Sequence, residues 1–130
     1  MDKKLEERLD RIEGQLAVPQ RIVSMPVDLS QTVPSLEGYT VAENCPITGN
    51  AYQLLLGFPD GCKDLVEVSI YYAGEQIWPI KGSIALNNAS PVIDIKRPVK
   101  KGGEFRAVID NYDGANEHHI TVVVMTEGIE

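Results

Sequence analysis

The sequence predicts a mainly β protein, an antiparallel β-sandwich or jelly roll of about six to eight strands with a short coiled-coil-like helix at its N-terminus. Two observations predict the sandwich: short segments of alternating apolar and polar residues recur from residue 51 onward, and turn-forming residues separate them at fairly even intervals. The connections are too short for the helical crossovers of parallel strands, so antiparallel strands are expected. A third observation, a heptad-like pattern of apolar residues near the N-terminus, predicts the helix.

Residues 3–16 have the pattern of a short helix. Asp2 can cap its start, and Pro19 disfavours helical geometry just beyond its end. A helix of this length is marginal in water on its own, so a contact outside the helix must hold it. Its apolar residues follow a 4-3-4 spacing, which gives the d and a positions of two heptads: Leu5, Leu9, Ile12 and Leu16.

The charged residues of this helix favour a parallel bundle of several chains. In the heptad register Arg8 lies at g and Glu13 at e, positions that meet between parallel neighbours. Leucine at a with isoleucine at d favours three or four helices over two, so a homo-oligomer is expected, with a trimer favoured. The alternative is an amphipathic helix that packs on its own domain.

Residues 19–50 differ in composition from the segments on either side. Prolines recur between Ser, Thr, Gln and Gly residues, a composition typical of an extended arm or linker with short edge strands. The sequence therefore divides into an oligomerisation helix over residues 1–18, this proline-rich arm, and a β-sandwich domain over residues 51–130. The alternative for the arm is an ordered edge strand of the same fold.

The strands expected from residue 51 onward are short. The segment LVEVSIYY alternates Val66, Val68 and Ile70 with polar residues, as in a strand with one buried face. The turn before the last strand contains Asp113-Gly114, a strong hairpin signal. The other expected strands are AYQLLLGF, QIWPI, SIAL, VIDIKRP, FRAVID and HHITVVVMT.

The charge of the chain limits its partners. The net charge is −7 and the isoelectric point is near 4.8, so nucleic acid is not expected as a partner, because such proteins gather Lys and Arg on one face. No apolar run is long enough to span a bilayer, and the first residues are charged where a signal peptide is apolar. We therefore expect synthesis in the cytoplasm without a signal peptide, and no membrane insertion.

The two cysteines, Cys45 and Cys62, do not have the spacing of a metal site. Two buried free thiols are expected for a cytosolic product, because reducing compartments disfavour disulfides. A bridge between Cys45 and Cys62 is the alternative.

The segment DNYDGANEHH is rich in oxygen and nitrogen donors. Asp110, Asp113 and His119 are weak candidates for metal ligands. The spacing does not match a calcium-binding EF-hand loop, and adjacent histidines in a strand lie on opposite faces. A polar hairpin tip with one histidine inward and one outward is therefore expected, with no bound metal and no cofactor.

No set of residues in the sequence has the pattern of an active site. The serines are outside the G-x-S-x-G motif, and neither cysteine lies in a nucleophile motif. The two histidines have no spacing that indicates a nucleophile, a base and an orienting group. The protein is therefore predicted not to be an enzyme.

The aromatic residues support an alternative function. Carbohydrate-binding β-sandwiches use exposed Trp and Tyr side chains as flat platforms, and Tyr72 and Trp78 are the candidates here. Since Tyr71 and Tyr72 are consecutive in a strand, one of them must face away from the core. A carbohydrate- or cell-surface-binding module is the alternative that these residues favour.

The segment PVKKGGEFRAVIDNYDGANEHHITVVVMTEG combines a basic glycine turn, a strand, an Asp-Gly hairpin and a valine-rich closing strand. It resembles the last hairpin of small β-sandwich virion proteins, namely capsid decoration, minor capsid or spike proteins of bacterial and archaeal viruses. The resemblance implies a non-enzymatic structural role at the virion surface, assembly as a trimer, and a major capsid protein or another virion protein as partner. It covers about the last third of the chain and transfers no site residues.

Overall fold

The computed structural model describes residues 21–129, which form nine β-strands and no helix. The strands, numbered in chain order, are β1 (Ile22–Asp28), β2 (Gln31–Val33), β3 (Gly38–Asn44), β4 (Gly49–Gly57), β5 (Val66–Tyr72), β6 (Glu75–Trp78), β7 (Val92–Val99), β8 (Glu104–Asn111) and β9 (His118–Ile129).

The strands form two sheets, and every pair of neighbouring strands is antiparallel. The five-stranded sheet has the order β1-β9-β4-β7, with β2 also paired to β9, and the four-stranded sheet has the order β3-β8-β5-β6. The predicted antiparallel two-sheet architecture is thus confirmed. The nine strands exceed the expected six to eight because three of them lie before residue 51.

The strands within residues 22–44 belong to the two sheets of the sandwich, so the sandwich includes residues before residue 51. β1 and β2 pair with β9, and β3 pairs with β8. β1 and β3 are edge strands, which matches the edge-strand alternative and replaces the interpretation of this segment as an arm. Pro26 is tolerated within β1 because an edge strand needs backbone hydrogen bonds on one side alone.

The core lies between the two sheets. Side chains alternate along the central strands, and the inward ones of both sheets join one apolar cluster, which includes Val66, Val68 and Ile70 of β5 and Ile120 and Val122 of β9. Most of the stabilisation of the fold comes from this burial, since the apolar side chains of the core are almost fully removed from water. The largest fully buried side chains are Phe105, Leu29, Leu54, Ile70, Ile109 and Ile120.

The predicted oligomerisation helix lies outside the described residues. The same holds for its interface residues Leu5, Arg8, Leu9, Ile12, Glu13 and Leu16, so the bundle stays a prediction. Within residues 21–129, no helix has the length and apolar character needed to cross a membrane.

A groove between the two edge strands

A groove of about 350 Å³ lies where the edge strand of one sheet approaches the edge strand of the other. β6 ends the four-stranded sheet, and β7 ends the five-stranded sheet. The groove therefore follows an open edge of the sandwich. Its walls are formed by Glu75, Gln76, Ile77, Trp78, Ile80, Ile95, Lys96 and Arg97.

Trp78 supplies the aromatic surface of the groove. It pairs with Ile70 across a bulge between β5 and β6, and it packs against the core while remaining half-buried. Trp78 thus both packs on the core and lines the groove. A ring held in this way can contact a ligand at a low cost in side-chain entropy.

Gln76 organises the loop that follows β6. Its Nε2 donates hydrogen bonds to the carbonyl oxygens of Pro79, at 2.8 Å, and Gly82, at 2.7 Å. These bonds hold the loop against the strand and leave Ile80, which is 90% exposed, at the rim of the groove. The hydrogen bonds of Gln76 therefore position the apolar side chain of Ile80 at the rim.

Arg97 and Glu75 join the two sheets across the groove. The guanidinium Nη1 donates to Glu75 Oε1 at 3.1 Å, and Nη2 donates to Oε2 at 3.3 Å. The guanidinium carbon also lies 5.7 Å from the ring centre of Tyr72. Both charged groups are partly open to solvent, so they keep hydrogen-bonding capacity for a ligand.

Tyr72 is buried, with 6% of its surface exposed, and this corrects its assignment to an exposed ligand platform. Its ring packs 4.8 Å from the ring of Phe105, and its hydroxyl accepts a hydrogen bond from the Lys100 backbone N–H at 2.8 Å. The alternation of β5 contained the signal for this position, because Val66, Val68 and Ile70 place Tyr72 on the same buried face. Of the two predicted platform residues, Trp78 alone lines the groove.

The hairpin after β8 uses its polar residues for structure. His118 Nε2 lies 2.8 Å from Asp113 Oδ2 in a buried pair, and the hydrogen bond from His118 lowers the pKa of Asp113 to about 2. Asp113 Oδ1 also accepts the N–H of Ala115 at 2.8 Å. The predicted division of the histidines is confirmed, because His118 is buried and His119 is exposed.

The candidate metal ligands are not brought together. Asp110 lies on β8 beside Gly38, whereas Asp113 pairs with His118 in the hairpin. His119 lies on the other sheet, where its Nδ1 is 2.9 Å from Thr32 Oγ1. Among residues 21–129, no cluster of three His, Cys, Asp or Glu side chains has the geometry of a metal site.

Asn111 is the central polar residue of the hairpin end, a structural role that was not predicted from the sequence. Its side chain is 1% exposed, and its Nδ2 donates to the carbonyl oxygens of Val33 and Asn116, both at 3.0 Å. Its Oδ1 accepts the N–H of Asp113 at 2.9 Å. The signal for such a role was an asparagine at the end of an apolar strand, directly before an Asp-Gly turn.

Cys45 and Cys62 are both buried free thiols in the structure. Burial raises the pKa of each thiol, and the nearby negative charge of Asp113 adds to the effect at Cys62. Cys45 Sγ donates to the carbonyl oxygen of Ile47 at 3.0 Å. Buried, protonated thiols are poor nucleophiles, so neither has the setting of a catalytic cysteine.

A second hollow of about 350 Å³ lies by the five-stranded sheet around His119, Thr121, Asn88 and Ser90. Its aromatic residue, Phe58, is buried in the core. This hollow therefore lacks the flat apolar surface that Trp78 gives to the groove between β6 and β7. The groove is the better candidate for a ligand site.

Comparison with known proteins gives similarity to solved structures alone, since no family model and no curated protein matches the chain. A similar structure is the C-terminal domain of EclA, a sugar-binding protein, with 11% identity and a TM-score of 0.46 over 84% of this chain and 81% of that domain. Another is an exo-β-1,3-galactanase from Phanerochaete chrysosporium with galactose, with 10% identity and a TM-score of 0.42. This chain matches it over 82% of its own length and spans 29% of the galactanase. These values assign neither a family nor a function to the chain.

Proposed function

We propose that this protein is a non-catalytic carbohydrate-binding module whose ligand occupies the groove between β6 and β7. The observation that carries the proposal is the position of Trp78. Its half-buried ring lies along the same groove as the paired Arg97 and Glu75 side chains. The groove thus offers an apolar plane next to directional hydrogen-bonding groups.

This combination suits the chemistry of a sugar. A pyranose has C–H groups on its faces and hydroxyl groups around its edge, so it can pack on an aromatic ring while its hydroxyls bond to polar neighbours. Arg97 can donate to hydroxyl oxygens, and Glu75 can accept from hydroxyl groups. Because the two side chains already hold one another, little further ordering is needed when a ligand binds.

The groove favours binding over hydrolysis. Glycoside hydrolysis commonly uses two carboxyl groups on either side of the scissile bond. Among the described residues that line the groove, Glu75 is the one carboxylate, and it is paired with Arg97. This supports a binding role for the site.

A glycan array probed with the full chain tests this function. We expect binding to a limited set of glycans, followed by a loss of at least about tenfold in affinity in Trp78→Ala, since removal of a stacking ring costs more than about 1.4 kcal/mol of binding. Tyr112→Ala is the matched control, because Tyr112 is an exposed aromatic residue away from the groove. An array without signal, or equal loss in both variants, would contradict the proposal.

A second candidate function is a structural role in a homo-oligomer, such as a component of a virion. The observation that favours it is a pair of exposed isoleucines, Ile22 and Ile129. They lie opposite each other on β1 and β9, at the end of the sandwich where β1 begins. Molecular mass in solution tests the oligomer, and a monomer at micromolar concentration would contradict it. The virion setting predicts genes for a major capsid protein or a packaging ATPase next to the gene of this protein, and their absence would count against it.

A further inference from the structure

One end of the sandwich exposes large apolar side chains on two paired strands, β1 and β9. Ile22 is 77% exposed and Ile129 is 58% exposed, and the two are directly paired across β1 and β9. Met25, which is exposed, and Val23, which is half-buried, continue the apolar surface. We name these four residues the apolar end.

Two clefts flank Ile129 within this surface. The first, of about 420 Å³, is lined by Val23, Met25 and Ile47 together with Lys101. The second, of about 480 Å³, is lined by Ile22, Gly49 and Gly128 together with Glu127. The clefts share Thr48 and Ile129, so they form one surface with a basic residue on one flank and an acidic residue on the other.

The chain enters the sandwich at this end. Twenty residues precede Arg21, and they include the predicted leucine-rich helix. Five residues lie between Leu16 and Ile22, a connection that spans about 20 Å at most when fully extended. If the helices form a parallel bundle, the apolar ends of the copies must therefore lie close to the bundle axis.

The charge distribution fits a cyclic arrangement of copies. In a ring, one flank of each copy contacts the opposite flank of the next copy, because the interface is heterologous. The Lys101 flank of one copy then meets the Glu127 flank of its neighbour. An exposed apolar surface with opposite charges on its two sides fits such a contact.

We propose that the apolar end is a self-association surface and that its occupant is a second copy of this chain. In the trimer, Ile22 and Ile129 of one copy pack against the Lys101 flank of the next. This inference rests on the oligomeric role described as the second candidate function and is independent of carbohydrate binding. It adds a contact between the β domains to the contact between the helices.

The test uses the full chain and measures mass by analytical ultracentrifugation and native mass spectrometry over a range of concentrations. We expect a trimer for the natural protein. Ile22→Ser with Ile129→Ser should weaken the association constant by about tenfold or more. Ile80→Ser is the matched control, because Ile80 is also highly exposed but lies in the groove between β6 and β7. It should leave the mass unchanged.

A charge exchange tests the contact between copies directly. Lys101→Glu and Glu127→Lys should each weaken the trimer, because each places like charges across the interface. A mixture of the two variants should form mixed trimers in preference to trimers of either variant alone. Pairing of the opposite charges within one chain would give no such preference.

Each other outcome overturns a defined part of the proposal. A natural chain that is monomeric at every concentration refutes both the oligomeric role and this surface. If Leu9→Ser disrupts the trimer but the isoleucine variants leave it intact, association is confined to the helices, and the apolar end is refuted as an interface. A monomer whose thermal stability falls equally in the helix and isoleucine variants shows that the helix covers this surface within one chain.

Discussion

The hairpin end and the groove between β6 and β7 differ in how their polar side chains are used. At the hairpin end, Asn111, Asp113 and His118 are buried and bonded to one another or to the backbone. In the groove, Arg97 and Glu75 are bonded to each other but remain partly exposed. The hairpin end has more residues of the types that bind metals, yet its polar side chains already form hydrogen bonds within the protein. The candidate ligand site is therefore identified by polar groups that can still form hydrogen bonds from the protein surface, more than by residue type.

The largest expected effect is the loss of stability when Asn111 is shortened. Asn111→Ala leaves the carbonyl groups of Val33 and Asn116 and the N–H of Asp113 without this partner in a buried site. We expect the free energy of unfolding to fall by about 2–4 kcal/mol, measured by urea denaturation.

Asn116→Ala is the control for this change, because the Asn116 side chain is exposed and its backbone carbonyl is retained. A change within about 0.5 kcal/mol is expected for it. Glycan binding should be unaffected in both variants. If Asn111→Ala abolished binding while the protein stayed folded, the distinction between the two regions would be lost.

The second prediction concerns acid unfolding. The pKa of Asp113 is lowered to about 2 in the folded protein, from an ordinary value of 3.8. The stabilisation from its ionised form is therefore complete above pH 4 and is lost as the pH falls through about 4 to 2, because the unfolded chain takes up the proton first. Asp113→Asn should flatten the decline of melting temperature over this range.

The remaining decline in Asp113→Asn should include Asp28, whose pKa is lowered by its hydrogen bonds from Ser30. Removing both carboxylates should flatten the profile further. A profile that is identical for the natural protein and Asp113→Asn would show that the pair with His118 adds nothing to stability.

The smallest expected effect on stability is at Arg97. Arg97→Ala removes a partly exposed ion pair, so the free energy of unfolding should change by less than about 1 kcal/mol. Ligand affinity should fall by about tenfold, since the groove loses the guanidinium donor of Arg97. Arg106→Ala is the control, because Arg106 forms a similar exposed pair with Glu104 outside the groove. Equal affinity in the two variants would remove Arg97 from the site.

The sequence identified those parts of the fold that depend on local patterns. Alternation at Val66, Val68 and Ile70 predicted a strand with a buried face, and adjacency alone placed His118 and His119 on opposite faces. The segment containing Pro26 was harder to assign, because proline is typical of linkers and also fits an edge strand. Its pairing with β9 joins residues about a hundred positions apart, and no local pattern encodes such a contact.

The same limit applies to the candidate site. Trp78 was identified from its residue type. The ion pair that lines the groove with it was not, because Glu75 and Arg97 are 22 positions apart and lie on different sheets. The role of Asn111 was also hidden, since its acceptors lie far apart in the chain: Val33 ends β2, and Asn116 lies in the loop before β9. Tyr72 is the exception, because extending the alternation of β5 by one step would have placed it in the core.

By itself, the sequence determined that this protein is an antiparallel β protein with period-two burial, short turns and one inward histidine. These features follow from backbone geometry and from the cost of exposing apolar side chains, both of which act over a few residues. The tertiary structure alone decided which strands are edges, that β6 and β7 enclose a groove, and that Ile22 lies beside Ile129. Those relations depend on how the two sheets pack, which is set by contacts between distant parts of the chain.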